Sequence, residues 1–378
     1  MPTVVLHFDV HLPLRLRKFG FFDIGRGGDY FDGEGSRADL GRFAEGFALP
    51  AAALMLRLIR RHRGRFRVSL SVSGMLLEQL KKGQKPLLES FRRLADTGCA
   101  EWVCSTSHHS LASLFSEAEF RRQIALHRRM IRALLGLTPV VFRNTAGICD
   151  EAVARIARSM GFRVILAGGA FDRDEGALCR PWGNGALTVL PRHDRLSDEM
   201  VRQDPGAFAG RLAEGFGGDE VISLVTECGR FGWDDAGGRA VMRFLETVPG
   251  LLLKRRNWRF CTPSEAAALR APERTARPLP SGPGREAFLS NHLQRDAADT
   301  LFALEGRVRR AGSRRHLDTW RRLQASDYLE AMCTKGLSEG DPARASHPFA
   351  SPYDAYIHTM NILKDFSGRI GGESGVRP

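Results

Sequence analysis

His7, Asp9 and His11 stand two residues apart in the segment LHFDVHLP, so an extended chain would place all three on one face. Two imidazoles and a carboxylate on one face could ligate a divalent metal, which makes a metal-dependent hydrolase one reading. In the other, His11 hydrogen-bonds a polar ligand while His7 and Asp9 are satisfied core groups. The surrounding pattern lacks metal-ligand spacing, which favours the second reading. Polar clusters also follow later apolar runs. In Ser105-Thr106-Ser107-His108-His109-Ser110 the two histidines point in different directions, so at most one faces a site. Arg143 and Asn144 directly follow an apolar run, where polar groups are costly unless they bind a ligand or each other. Glu227, in Thr226-Glu227-Cys228-Gly229-Arg230, is the strongest candidate acid; its alternative is an ion pair with Arg143 or Arg230.

Such residues need elements that bring them to one place. Apolar, β-rich runs recur at Val4–Phe8, Phe66–Val72, Ala100–Val103, Pro139–Phe142, Arg163–Leu166, Ala186–Leu190, Glu220–Val225 and Trp258–Cys261. Helix-period patterns lie between several of them, at Ala51–Arg63, Leu76–Asp96, Glu117–Leu135, Glu151–Met160 and Ala207–Phe216. Strands alternating with helices predict parallel βαβ units and an α/β fold. Seven or eight units over residues 1–269 suit a closed (β/α) barrel, whose active site lies at the C-terminal ends of its strands. The proline- and glycine-rich stretch 270–285 reads as a linker. Helical spacing returns at Glu286–Arg310, Ser313–Thr334 and Pro352–Phe366, predicting a helical C-terminal domain over 286–366 and a disordered tail over 367–378.

Composition narrows the class. Hydrophobic residues make up 43% and charged residues 26%, as in ordinary globular proteins. The most apolar stretch, Phe47–Ile59, holds Pro50 and Arg57 and is too short to span a bilayer. No signal peptide is evident: the first strand starts at Thr3 with no charged region before it. Seven scattered cysteines with no C-x-x-C pair favour a reducing cytoplasm over a disulfide framework. The net charge of +13 comes from arginines spread along the chain. They fit solvated helix faces better than a nucleic-acid surface.

The segments FDVHLPLRLRKFGFFDIG, SVSGMLLEQ, LADTGCAEWV, HHSLASL, FRNTAGICDE and RLSD occur in that order. After the linker come SDYLEAMCTKGLSEGDP and SPYDAYIHTMNILKDF. Together they resemble glycoside hydrolase family 57, the α-amylase and 4-α-glucanotransferase group, over roughly residues 3–366. The resemblance implies a distorted seven-stranded (β/α) barrel with a helical domain completing the cleft, α-1,4-glucan as ligand, and no cofactor or metal. It departs from the family pattern at informative places. His-Gln-Pro is here His11-Leu12-Pro13, and Ser105 stands where a Glu is usual. The nucleophile position after Phe-Arg-Asn-Thr is Ala146, and the proton-donor position, an Asp in the family, is Glu227. Substrate contacts are expected from His11, His109, Arg143, Asn144, Trp182, Trp233 and Asp327. A retaining glycosidase needs two carboxyl groups about 5–5.5 Å apart, and Ala146 supplies none. The sequence therefore predicts an α-amylase-like protein that binds or acts on α-glucan with weak or absent catalysis. An active enzyme with rearranged carboxylates stays open, with Glu101, Asp150, Asp194, Asp198 or Asp234 assisting Glu227.

Overall fold

The computed structural model describes residues 1–168, 180–182, 187–228, 236–269, 287–335 and 348–372. Every predicted apolar run forms a strand, with ends shifted by a few residues. The strands are β1 (Thr3–Val10), β2 (Val68–Val72), β3 (Ala100–Cys104), β4 (Val141–Phe142), β5 (Val164–Ala167), β6 (Arg180–Trp182), β7 (Leu187–Pro191), β8 (Val221–Glu227) and β9 (Arg259–Cys261). Seven of them run parallel in the order β7-β5-β4-β3-β2-β1-β8. The short β6 is antiparallel to β7, and β9 lies beside the first half of β1. The segment after β7 meets β8, where His193 N donates to Ser223 O at 2.8 Å and Val225 N donates to Ser197 Oγ at 3.1 Å. The result is a nearly closed (β/α) barrel.

Strand periodicity divides β1 between two cores. Val4, Leu6, Phe8 and Val10 pack outward with Leu54, Leu58 and Leu76 of the surrounding helices. Val5 points inward with Val103, Val141, Leu166, Leu190 and Val221, filling the barrel floor. His7 and Asp9 share that inward side but stand above the apolar floor, towards the strand ends.

The expected helix over Leu76–Asp96 is two helices, Gly74–Gly83 and Lys85–Asp96. Ser73 caps the first through Leu76 N, Gln84 breaks the run at φ −139°, and Pro86 opens the second. Glu286–Arg310 likewise divides into His292–Ala303 and Glu305–Ala311, and Ser313–Thr334 into Arg314–Arg322 and Ser326–Glu330. The final helix, Pro352–Gly372, runs past the expected boundary at residue 366 into the stretch read as a tail. Two long helices escaped prediction, Gly33–Phe43 and Ala236–Lys254; internal glycines blur the first and Pro249 interrupts the second.

The C-terminal helices share a core with the barrel: Leu301, Phe302, Trp320, Ile362 and Phe366 join one cluster with Met75, Cys104, Phe120 and Phe142. A buried ion cluster pins this junction. Glu119, on the helix Glu117–Leu135, accepts from Arg321 Nε at 2.8 Å and from Arg309 Nη2 at 2.9 Å.

Candidate functional site

The inward residues of β1 meet a matching period-two row of hydroxyls on β2. His7 Nδ1 lies 3.0 Å from Ser69 Oγ, and its Nε2 lies 3.1 Å from Ser71 Oγ. Ser71 Oγ donates to Asp9 Oδ1 at 2.6 Å, and His11 Nδ1 lies 2.7 Å from Ser73 Oγ. Each of the three residues that suggested a metal is thus bonded to this serine row, and the three do not form a group of converging ligand atoms. Burial holds His7 neutral, pulling its pKa down to about 3 against the opposing pull of Asp9.

His11 turns instead towards the C-terminal helices. Its Nε2 lies 2.9 Å from Asp327 Oδ2, while His109 Nδ1 lies 3.7 Å from the same oxygen and 2.8 Å from Ser326 Oγ. His109 adopts φ +53°, a left-handed conformation rare for a residue with a Cβ, and its carbonyl accepts from Ser326 N at 3.0 Å. The imidazoles stack with centroids 4.2 Å apart and an interplanar angle of 15°. Burial lowers the pKa of His11. For His109 burial also pulls downward, but Asp327, Asp9 and Glu227 outweigh it and the net direction is up. Burial alone would raise Asp327, yet the two histidines hold it well below the ordinary carboxylate range. His11, His109 and Asp327 each offer a ligand atom, all within 4.8 Å of one another. The stacked rings lie in nearly parallel planes, so their lone pairs do not converge on one point unless a ring turns. As it stands, both rings face one carboxylate oxygen of Asp327.

A second group lies beside it. Arg143 follows β4 and is 1% exposed. It donates through Nε to Asp9 Oδ2 at 3.2 Å and through Nη2 to Glu227 Oε1 at 3.4 Å. Asp9 and Glu227 are directly paired in the β1–β8 register, which places both at the C-terminal ends of their strands. Burial pushes Asp9 up, but Arg143 prevails and its pKa falls to about 2. Ala146 lies in the next turn at φ +56°, with Gly147 at φ +68°. A Cβ on Gly147 would lie 3.0 Å from Arg143 Nη1 and 2.7 Å from Gly168 N, so the turn packs tightly against the guanidinium. Asn144 is occupied in holding this turn: its Nδ2 donates to Ser113 Oγ at 2.9 Å and to Ile148 O at 3.0 Å.

The other candidates fall elsewhere. Glu101 pairs with Ser69 in the first half of β3 and accepts from Ser264 N at 2.8 Å, away from the strand ends that carry Asp9 and Glu227. Asp150 caps the helix Glu151–Ser159 through Val153 N. Asp194 and Asp198 clamp Arg192 at 2.6 Å and 2.5 Å. Trp182 belongs to β6 by its backbone, while Trp233 and Asp234 lie outside the described residues. Sequence reasoning missed Ser69, Ser71, Ser73 and Ser326 as the partners that orient the histidines. Its available signal was the alternation Ser69-Leu70-Ser71-Val72-Ser73, which repeats the period of His7, Asp9 and His11.

Comparison with known proteins agrees with this architecture. The model of "Glycosyl hydrolase family 57" matches residues 5–280. A curated relative from Methanocaldococcus jannaschii, named "Putative alpha-amylase", is 28% identical over 403 residues, covering 96% of this chain and 84% of that protein. A family 57 branching enzyme from Thermococcus kodakaraensis superposes with TM-score 0.67 at 14% identity, covering 95% of this chain and 88% of that one. The 4-α-glucanotransferase of Thermococcus litoralis gives TM-score 0.62 at 13% identity; the match covers 91% of this chain but only 54% of that longer one. With a barrel of this topology and a family match across most of its length, the chain belongs to glycosyl hydrolase family 57.

Proposed function

We propose that this protein binds α-1,4-glucan at the C-terminal end of its barrel and hydrolyses it weakly or not at all. The observation that carries the reading is Ala146, at the position where the resemblance to the family puts the nucleophile; it has no carboxyl group to form a glycosyl-enzyme bond. The surroundings support it. Glu227 accepts from Arg143, and Arg143 is shared with Asp9, so the proton-donor position is tied into a guanidinium–carboxylate cluster. Acid assistance alone is worth about 10²–10⁴-fold, well short of the ~10⁶-fold or more that enzymes commonly reach. Among the described carboxylates weighed as replacements, Glu101, Asp150, Asp194 and Asp198 are each engaged in a structural bond. His11, His109 and Asp327 supply donors and acceptors suited to sugar hydroxyls. The six described cysteines are all free thiols, which supports a reducing, cytoplasmic setting.

Calorimetric titration with maltoheptaose tests the reading. Saturable binding is expected, weakened by Asp327→Asn and His11→Ala. Failure of the wild type to bind any maltooligosaccharide would sink it.

A further inference from the structure

Among the described residues six large hydrophobic side chains are exposed, and four of them come from two segments that bond to each other. Phe21 is 67% exposed and Phe22 77% exposed, on the loop between β1 and the helix Gly33–Phe43. Tyr353 and Ile357 lie one turn apart on the helix Pro352–Gly372. Phe21 and Phe22 touch each other, so they form one apolar surface and not two scattered side chains.

The loop is held firmly. Gly20 N donates to Asp23 Oδ2 at 2.7 Å, closing the turn that carries both rings. Asn361 Nδ2 donates to Phe19 O at 3.1 Å, and His358 Nδ1 lies 2.8 Å from the same oxygen. The rings meet edge to face, with centroids 5.7 Å apart at 82°. The loop is also continuous with the candidate site. It leaves the barrel at His11, and Leu14 O accepts from the Tyr328 hydroxyl at 2.6 Å, one residue from Asp327. The anchoring helix contributes Ala355 to the cluster against which Ala146 packs.

We propose that Phe21 and Phe22 form an aromatic platform on the rim of the site, stacking on pyranose faces of a glucan chain whose other end lies at His11 and Asp327. The inference rests on the glucan-binding reading and adds a residue-level prediction to it: affinity rises with chain length through contacts at this loop. The apolar C–H face of a pyranose suits an exposed ring, and the edge-to-face pair offers two surfaces at an angle to a curved chain. Both side chains are mostly solvated, so truncating them removes little from the folded core.

The test is a titration series with maltose, maltotriose and maltoheptaose against wild type and the Phe21→Ser/Phe22→Ser double variant, with Phe21→Trp/Phe22→Trp alongside. The serine variant should bind maltoheptaose about tenfold more weakly, with under about a twofold change for maltose. The tryptophan variant should keep the length dependence. An unchanged affinity ladder in the serine variant, or an equal loss at every length, would overturn the platform while leaving the glucan reading intact. Absence of binding by wild type at any length would overturn both. Concentration-dependent dimerisation of wild type that the serine variant abolishes would assign the patch to self-association and also overturn the platform.

Discussion

His7 and His108 are buried as neutral imidazoles, each with its pKa brought down to about 3 by burial. Unfolded, each would take up a proton near pH 6.5, so the unfolded state binds more protons below that value. Their contribution is complete above about pH 6.5 and is lost as pH falls towards 3. At pH 5 each contributes roughly 2 kcal/mol less to stability. His11 and His127, also lowered by burial, act in the same direction, while His109, whose pKa is raised, opposes them. A clear drop in melting temperature between pH 7 and pH 5 is expected, smaller in a His7→Asn variant. Equal melting temperatures at the two pH values would show that these rings are not held neutral.

At the scale of elements, the C-terminal helices meet the barrel through a buried ionic contact of Glu119 with Arg321 and Arg309 as well as through the shared core. Glu119→Gln leaves Arg321, itself 6% exposed, with a neutral partner. Breaking a buried pair from one side typically costs about 3–5 kcal/mol. The expected result is a lower urea midpoint together with faster tryptic cleavage within residues 270–285; a wild-type profile in both would contradict the role given to this pair. This contact was illegible in the sequence, because Glu119 and Arg321 are 202 residues apart and each reads as a surface charge. The strands were legible because their apolar runs are short, β-rich and bounded, and the helix Glu117–Leu135 was legible to the residue from its 3.6-residue period. Long helical patterns were read as continuous wherever the break depended on one φ angle, as at Gln84. In the site, His11, Arg143 and Glu227 could be named from their places after apolar runs. The shift of His11 from a metal face to Asp327 could not, since that partner lies 316 positions away.

For the whole molecule, the net charge of +13 invites a nucleic-acid reading. Much of the charge is engaged locally, as in Arg121 and Arg155 on Glu117, Arg192 on Asp194 and Asp198, and Arg369 on Asp365. Any DNA binding should be independent of sequence and should fall steeply between 50 and 200 mM salt, since counterion release drives it. Tight binding that survived high salt, followed by fluorescence anisotropy, would reverse that view. No described helix is long and apolar enough to cross a membrane. What remains is a barrel at whose strand ends His11, Asp9, Arg143 and Glu227 gather, with His109 and Asp327 beside His11, and a proposed reading in which Ala146 replaces the nucleophile. The most direct measurement is product release from maltoheptaose by the purified wild type, with Glu227→Gln and Ala146→Glu variants in parallel. Wild type and Glu227→Gln should both release little or no shorter oligosaccharide, and any gain should appear only in Ala146→Glu. Robust turnover by wild type that Glu227→Gln abolishes would contradict the account and establish an enzyme with rearranged carboxylates.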